Sequence, residues 1–353
     1  MAKKSKAKKS QKKNVWIKRI LVVACAILAG LLVYIGYRVF GPNTTKAFGD
    51  SKFFYVRTGS TYADVLDGLE EQQIIRSRTS FDWVARELGY PKRVKAGKYK
   101  ISRGMSNFDL VKLLRAGRQT PVNLTITKLR TKQDLVRKIS SNLEADSATF
   151  LALLRDQVYL RQFGLDTNTV MCAFIPNSYQ FYWNTTAEAA FKKIEKETAA
   201  FWTEERKAAA RRLDLSTIQV MIIASIVEEE TNKNDEKPLI SSVYINRFRK
   251  GMRLQADPTV KFALQDFSIR RIREGHIAFS SPYNTYQNAG LPPGPICTPS
   301  IKSIEAVLNT PETDYIYFCA KADFSGYHAF AATYAEHMKN AHAFHAALNA
   351  RGI

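Results

Sequence analysis

The sequence has few of the residues that build covalent or metal-linked frameworks. Its 353 residues include only four cysteines, and no two of them have a Cys-x-x-Cys spacing. Cys25 lies in an apolar run, which leaves an odd number in the rest of the chain. We therefore expect neither a disulfide framework nor a thiolate metal site. The five histidines include no His-x-x-x-His pair, so we predict no metal and no other cofactor.

Glycine and proline are also scarce, with 17 and 12 residues. This scarcity excludes collagen-like and low-complexity chains. A hydrophobic content of 45% with 24% charged residues excludes a wholly disordered one. The chain is long enough for two or three domains, each with a buried core.

Acidic residues are missing from the first 19 positions, which hold nine lysines and arginines. The whole chain has a net charge of +21, so the remaining residues carry +12. An excess of this size suits nucleic acid, an anionic membrane surface or an acidic polymer. Because the basic cluster directly precedes an apolar run, we interpret residues 1–19 as a cytoplasmic topology signal. We predict no nucleic-acid partner.

The apolar run from Ile20 to Tyr37 contains 18 residues without a charge. A helix of about 20 residues crosses the ~30 Å hydrocarbon core of a bilayer. A cleaved signal peptide is the alternative, but its apolar region would be shorter and would end at a small-residue cleavage site. We predict a single retained transmembrane helix over residues 20–40, with the N-terminus in the cytoplasm and the rest outside it.

The predicted fold class is α+β, with this helix followed by a small module and a larger domain. Strand-like segments at residues 53–57 and 95–101 alternate with three amphipathic stretches, in the order strand, helix, helix, strand, helix. We assign residues 41–118 to the small module and residues 119–353 to the larger domain. A strand-like segment, residues 122–126, opens the larger domain, and residues 133–160 and 186–213 are mainly helical in pattern.

One helix carries three consecutive glutamates at its end. Ser216 opens it with a capping-box pattern, and the helix continues to about Thr231. At 100° per residue, Glu230 lies at the centre of the bulky apolar stripe, whereas Glu228 lies about 160° away from it. Burial would raise the pKa of the Glu230 carboxyl and keep it protonated, as a general acid requires. The alternative is a helix end at which Glu230 turns to solvent.

Several ordered motifs surround this helix. They are Ala-Ser-Ile-Val-Glu-Glu-Glu-Thr, Asn246-Arg247, Met-Arg-Leu-Gln-Ala-Asp-Pro-Thr-Val from Met252, Tyr-Asn-Thr-Tyr from Tyr283, and Gly-Leu-Pro-Pro-Gly-Pro-Ile from Gly290. With Tyr317-Phe318, His328 and His337, this set resembles the YceG-like family of endolytic murein transglycosylases. The resemblance covers nearly the whole chain, and it implies that the small module is LysM-like.

The resemblance implies a reaction that cleaves the MurNAc–GlcNAc β-1,4 bond within peptidoglycan strands without water, leaving a 1,6-anhydro-MurNAc end. It maps the catalytic acid and later base onto Glu230. The candidate substrate-binding residues are Glu228, Asn246, Gln255, Asp257, Tyr283, Asn284, Thr285 and His328. Turn formation is the alternative role for the Asp257-Pro258 pair and the proline-rich loop. Asn177 replaces an acid expected in the family and Cys297 a small residue, and no role is assigned to either residue or to His337.

The implied partners are peptidoglycan glycan strands and possible cell-wall synthases, at the outer face of the bacterial inner (cytoplasmic) membrane. Two other functions stay open. A non-catalytic peptidoglycan-binding scaffold would bind glycan without cleaving it. A basic nucleic-acid or acidic-lipid binder would show a steep salt dependence carried mainly by residues 1–19.

Overall fold

The computed structural model describes residues 2–351, with side chains from residue 15 onward. Most side chains of the predicted topology signal, residues 1–19, therefore lie outside the described part of the chain. Helix α1 (Ala2–Phe40) begins the chain. Its segment Val15–Phe40 contains 26 residues and is long and apolar enough to cross a membrane. None of its most apolar 18-residue stretch is buried inside the protein. The predicted apolar helix is thus confirmed as a candidate span by length and composition.

The chain divides into two compact units, of which the first comprises residues 1–121 and 182–184. After α1 its elements follow the predicted order of strand, helix, helix, strand and helix. They are β1 (Ser51–Val56), α2 (Tyr62–Glu71), α3 (Arg78–Glu87), β2 (Gly97–Ser102) and α4 (Asn107–Ala116), with a short 3₁₀ turn at Tyr90–Lys92. The strands pair antiparallel with Phe54 opposite Tyr99. Both side chains are buried in a core that also contains Leu69, Phe81 and Leu110.

The second unit comprises residues 122–181 and 185–353. Its first half contains β3 (Val122–Ile126), α5 (Lys132–Ser140), α6 (Ser147–Leu153), α7 (Gln157–Arg161), β4 (Asn177–Phe181), α8 (Ala187–Phe201) and α9 (Glu204–Arg212), with a 3₁₀ turn at Val170–Ala173. Strand β3 is confirmed at the predicted residues and pairs antiparallel with β4. The predicted helical stretch 133–160 divides into three short helices because side chains of Asp146 and Asp156 cap new helix starts.

The second half of this unit holds α10 (Thr217–Glu230), α11 (Lys237–Arg249), α12 (Asp257–Leu264), α13 (Glu274–Ile277), α14 (Ile301–Leu308), β5 (Tyr317–Ala320), β6 (His328–Ala331) and α15 (Tyr334–Ala350). Strands β5 and β6 form an antiparallel hairpin in which Ala320 pairs with His328. The mixed helix-and-sheet class predicted from the sequence is confirmed.

Helix α10 is the central element of the second unit. The predicted capping box is present: the Ser216 side chain accepts from the Gln219 backbone N–H, and the Gln219 side chain accepts from the Ser216 N–H. Every residue from 220 to 227 is buried. The structure here differs from the single apolar stripe of the sequence analysis, since α9, α11, α12 and α14 all pack against α10. Such a helix has no solvent-facing side along these two turns.

Candidate active site

The three glutamates at the end of α10 lie in three different environments. Glu228 faces α14 and the start of α11, where its Oε2 accepts hydrogen bonds from the Ser300 and Ser303 hydroxyls and lies 3.1 Å from Lys237 Nζ. These partners outweigh the effect of burial and hold the pKa of the Glu228 carboxyl below its ordinary value. Glu228 is therefore a paired, ionised group.

Glu229 is paired as well, on another side of the helix. The Arg130 guanidinium donates to both of its carboxylate oxygens, at 3.0 and 2.8 Å, and Lys128 Nζ lies 3.2 Å away. These cations hold the pKa of Glu229 below its ordinary value in spite of burial. A two-pronged Arg–carboxylate pair of this kind fixes the side chain in place.

Glu230 has no ion-pair partner among the described residues. The Tyr244 hydroxyl, from α11, donates a hydrogen bond to Oε1, while Oε2 has no hydrogen-bond partner in the described part of the chain. Burial is the main cause that raises the pKa of the Glu230 carboxyl to about 7, and the nearby charge of Asp257 adds to it. The Tyr244 hydrogen bond and the charge of Lys261 lower this pKa. Glu230 can therefore hold a proton near neutral pH and release it there.

A cavity of about 390 Å³ opens above Glu230 and lies wholly within the second unit. This volume is in the range of small-molecule sites. Residues from α11, the segment 254–257, the hairpin β5–β6 and α15 line it, together with Tyr286. Aromatic rings form much of the wall, namely Tyr244, Tyr286, Tyr317 and Phe318. Ring faces of this kind pack well against the C–H faces of a pyranose.

Arg247 brings a positive charge to the cavity wall, where its Nε and Nη1 atoms donate hydrogen bonds to neighbouring protein oxygens. Its guanidinium donates to the backbone carbonyls of Arg253, Leu254 and Ile316 and to Gln255 Oε1. It thus joins α11 to the segment before α12 and to the start of β5. We interpret Arg247 as a structural clamp for the cavity wall.

Of the nine residues predicted for the site, four line the cavity: Glu230, Gln255, Asp257 and His328. Asp257 Oδ1 accepts a 2.6 Å hydrogen bond from the Tyr286 hydroxyl. Gln255 has a positive φ of 53°, a conformation unusual for a residue other than glycine, and its backbone N–H donates to Thr285 O.

The other five predicted residues have side chains outside the cavity lining, and their part in substrate binding stays a prediction. Asn246 donates to the carbonyls of Thr313 and Tyr315. Asn284 donates to those of Ile277 and Phe279. The remaining three are Glu228, paired as above, Thr285, which contacts the Thr259 hydroxyl, and Tyr283, whose ring packs on Phe262.

Three lining residues, Tyr244, Arg247 and Tyr286, were not predicted for the site. Arg247 and Tyr286 lie within motifs quoted from the sequence, whereas Tyr244 lies between two of them. Spacing gave no signal, because Tyr244 reaches Glu230 from a separate helix. Two of the residues left without a role lie elsewhere: Asn177 is exposed on β4, and Cys297 is buried near Ser225. His337, in contrast, lines the cavity and stacks on Tyr317 with ring centroids 5.0 Å apart. No group of three or more His, Cys, Asp or Glu side chains in the described part could hold a metal ion.

The contrast between Glu229 and Glu230 predicts opposite pH dependences of stability. The folded protein holds the Glu230 proton up to about pH 7, whereas the unfolded chain releases it near 4.5, so ionisation costs stability as the pH rises between these values. Replacing Glu230 by Gln removes this cost, which reaches about 3 kcal/mol above pH 7. The Tm of Glu230→Gln relative to wild type should therefore rise from pH 5 to pH 8 in thermal melts of the detergent-solubilised protein.

Glu229→Gln is the matched control, with the sign reversed. Because the pKa of Glu229 is lowered, its pairing stabilises the protein above pH 4.5, and this contribution disappears as the pH falls through the lowered pKa. Its Tm deficit should thus be larger at pH 8 than at pH 4. Parallel changes in the two variants would contradict the assigned environments.

Several known proteins are similar to this chain over most of its length. The Bacillus subtilis (strain 168) protein named endolytic murein transglycosylase is 28% identical over 300 residues, covering 80% of this chain and 82% of that protein. A protein of the same name from Streptococcus pneumoniae serotype 2 (strain D39) is 26% identical over 325 residues, which cover 81% of this chain but only 58% of the relative. A crystal structure of a YceG-like protein from Listeria monocytogenes, 28% identical, superposes with a TM-score of 0.53 over 82% of this chain and 99% of that one.

A family model gives the most direct comparison. The model described as the YceG-like family matches residues 54–343, from within β1 of the first unit to nearly the end of the second. This match covers well over half of the sequence. The chain belongs to the YceG-like family.

Proposed function

We propose that this protein is a membrane-anchored endolytic murein transglycosylase, a lyase that cleaves peptidoglycan glycan strands. The observation that carries the proposal is Glu230, a carboxyl without a cationic partner in an aromatic-walled cavity, with its pKa raised to about 7. The names of the relatives from Bacillus subtilis and Streptococcus pneumoniae support the same activity. The bond cleaved is the β-1,4 bond between MurNAc and GlcNAc in nascent strands.

The reaction uses one carboxyl twice. Protonated Glu230 gives its proton from Oε2 to the glycosidic oxygen as the bond from that oxygen to MurNAc C1 breaks, and GlcNAc leaves with a free hydroxyl. The MurNAc 6-hydroxyl then forms a bond to C1, and its proton returns to the Glu230 carboxylate. The product carries a 1,6-anhydro-MurNAc end, and no water is consumed. Because the nucleophile belongs to the substrate, the second carboxyl that glycosidases normally need for hydrolysis is not required.

Four cavity residues have supporting roles in this scheme. Tyr244, as hydrogen-bond donor to Oε1, keeps the Glu230 carboxyl in one orientation and leaves Oε2 for the proton. Asp257 is held by Tyr286, and its negative charge favours the positive charge that develops at C1. Gln255 and His328, also in the lining, are placed to bind sugar hydroxyls.

The rest of the chain fits an enzyme of the cell envelope. The apolar segment of α1 would anchor it in the inner membrane, with the basic N-terminus in the cytoplasm and the chain after the helix outside it. The +12 charge of the remaining chain then faces an anionic wall. We propose that residues 41–118 form a LysM-like module, that residues 119–353 form the catalytic domain, and that cell-wall synthases work beside the enzyme.

The product distinguishes this function from hydrolysis and from mere binding. We expect the detergent-solubilised full-length protein to release 1,6-anhydro-muropeptides from purified peptidoglycan, without incorporating ¹⁸O from labelled water, as measured by mass spectrometry. Glu230→Gln should lower the rate by about 10²- to 10⁴-fold because it removes the group that donates the proton to the leaving oxygen. Glu205→Gln, the same change at an exposed site on α9, should retain full activity. Labelled reducing ends would indicate a hydrolase, and binding without any cleavage would indicate a scaffold.

Two substitutions should shift the pH profile in opposite directions. The alkaline limb of kcat/KM reports the pKa of the acid in the free enzyme and should lie near pH 7. Tyr244→Phe removes a hydrogen bond that favours the carboxylate, so the limb should move to higher pH. Asp257→Asn removes a negative charge near Glu230, so it should move to lower pH. A limb that stays in place in both variants would exclude Glu230 as the titrating acid.

A further inference from the structure

A second carboxylate, Glu236, is bound to His328 on the cavity wall. Glu236 is only 4% exposed and lies immediately before the first residue of α11. Its Oε1 accepts the His328 backbone N–H at 2.6 Å, and its Oε2 lies 2.8 Å from His328 Nδ1. The Thr231 hydroxyl also donates to Oε2, at 3.4 Å. One carboxylate therefore fixes both the backbone and the ring of His328.

These contacts determine which ring nitrogen of His328 carries the proton. No lysine or arginine of the described residues forms an ion pair with Glu236, so its charge is balanced by three N–H and O–H donors and by the N-terminal end of α11. An ionised carboxylate only accepts hydrogen bonds, so His328 Nδ1 is the donor. In the neutral imidazole the lone pair then lies on Nε2. Nε2 has no hydrogen-bond partner among the described residues.

The ring of His328 is also fixed relative to Glu230. Phe318 meets the His328 ring edge-on, with centroids 5.2 Å apart, and meets the Tyr244 ring in the same way at 5.8 Å. Tyr244 holds Glu230, whose chain neighbour Thr231 contacts Glu236. The contacts form a closed frame around one side of the cavity, and both Glu230 and His328 line that cavity.

We propose that His328 contacts the substrate through Nε2, which accepts a hydrogen bond from a sugar hydroxyl bound beside Glu230, and that Glu236 is the positioning residue that fixes the Nδ1–H tautomer. The identity of the ligand as a glycan rests on the proposed function. A fixed acceptor distinguishes a hydroxyl from a group that cannot donate, because an unpaired polar atom in a filled site is costly. His328 thus selects and orients the sugar, while Glu230 performs the proton transfers.

Glu236→Gln separates this role from a purely structural one. The amide oxygen of Gln can still accept the His328 backbone N–H, so the hairpin should remain folded, with little change in Tm. Its NH₂ group can instead donate to Nδ1, which moves the ring proton to Nε2 and removes the acceptor from the cavity. In full-length protein labelled with ¹⁵N-histidine, the His328 signals, assigned by their loss in His328→Gln, should report Nδ1–H in wild type and lose that preference in Glu236→Gln. An Nε2–H tautomer in wild type would overturn the proposal.

Binding is measured in the Glu230→Gln background, so that no cleavage occurs. The probe is an uncrosslinked MurNAc–GlcNAc tetrasaccharide, titrated by calorimetry. We expect His328→Ala and Glu236→Gln each to raise the Kd about tenfold, whereas His342→Ala, an exposed histidine on α15, leaves it unchanged. An unchanged Kd in His328→Ala would refute the contact.

These results do not depend on whether cleavage occurs. Loss of the anhydro product with the tautomer and binding results intact would count against the proposed function alone. Anhydro product with an unaffected Kd in both variants would count against this inference alone.

Discussion

The whole site depends on one unfavourable placement, a carboxyl at the C-terminal end of a buried helix with no cation beside it. The helix dipole makes negative charge costly at this end, and burial adds to the cost. The chain offsets this cost for two neighbouring glutamates, with Lys237 for one and with Arg130 and Lys128 for the other. For Glu230 it offers only a neutral hydroxyl. The remaining cost of ionisation keeps the Glu230 carboxyl protonated near neutral pH, as a general acid requires.

The two paired glutamates also explain how Glu230 can be held in such a place. Glu228 fastens the end of α10 to α11 and to the start of α14, and Glu229 fastens it to the segment before α5. Because these pairs fix the last turn on two sides, the Glu230 side chain points into the cavity without an ion pair of its own. A cation beside Glu230 would fix it more tightly but would ionise it. In this turn, the ionised Glu228 and Glu229 stabilise the structure, whereas Glu230 holds the proton.

Local sequence predicted the elements of this arrangement better than its contacts. The capping box, the extent of α10, strand β3 and the strand–helix order of the first unit depend on neighbours within a few residues, and each is confirmed. The helical wheel placed Glu230 at the centre of a bulky apolar stripe, but the side of the helix opposite this stripe is buried as well. What separates the three glutamates is their partners, and Arg130 lies 99 residues away from Glu229 along the chain. No periodicity encodes such a pairing.

The Tyr-Asn-Thr-Tyr motif illustrates the same limit. Its polar residues suggested a row of sugar contacts, yet Asn284 and Thr285 bind the backbone of their own loop and of the segment before α12. Their effect is to present the last residue, Tyr286, to the cavity, where its hydroxyl holds Asp257. A motif can therefore be essential to a site through a residue that it positions. His328 and Glu236 repeat this logic at another part of the cavity, where a buried carboxylate orients a ring that, in our proposal, contacts the ligand.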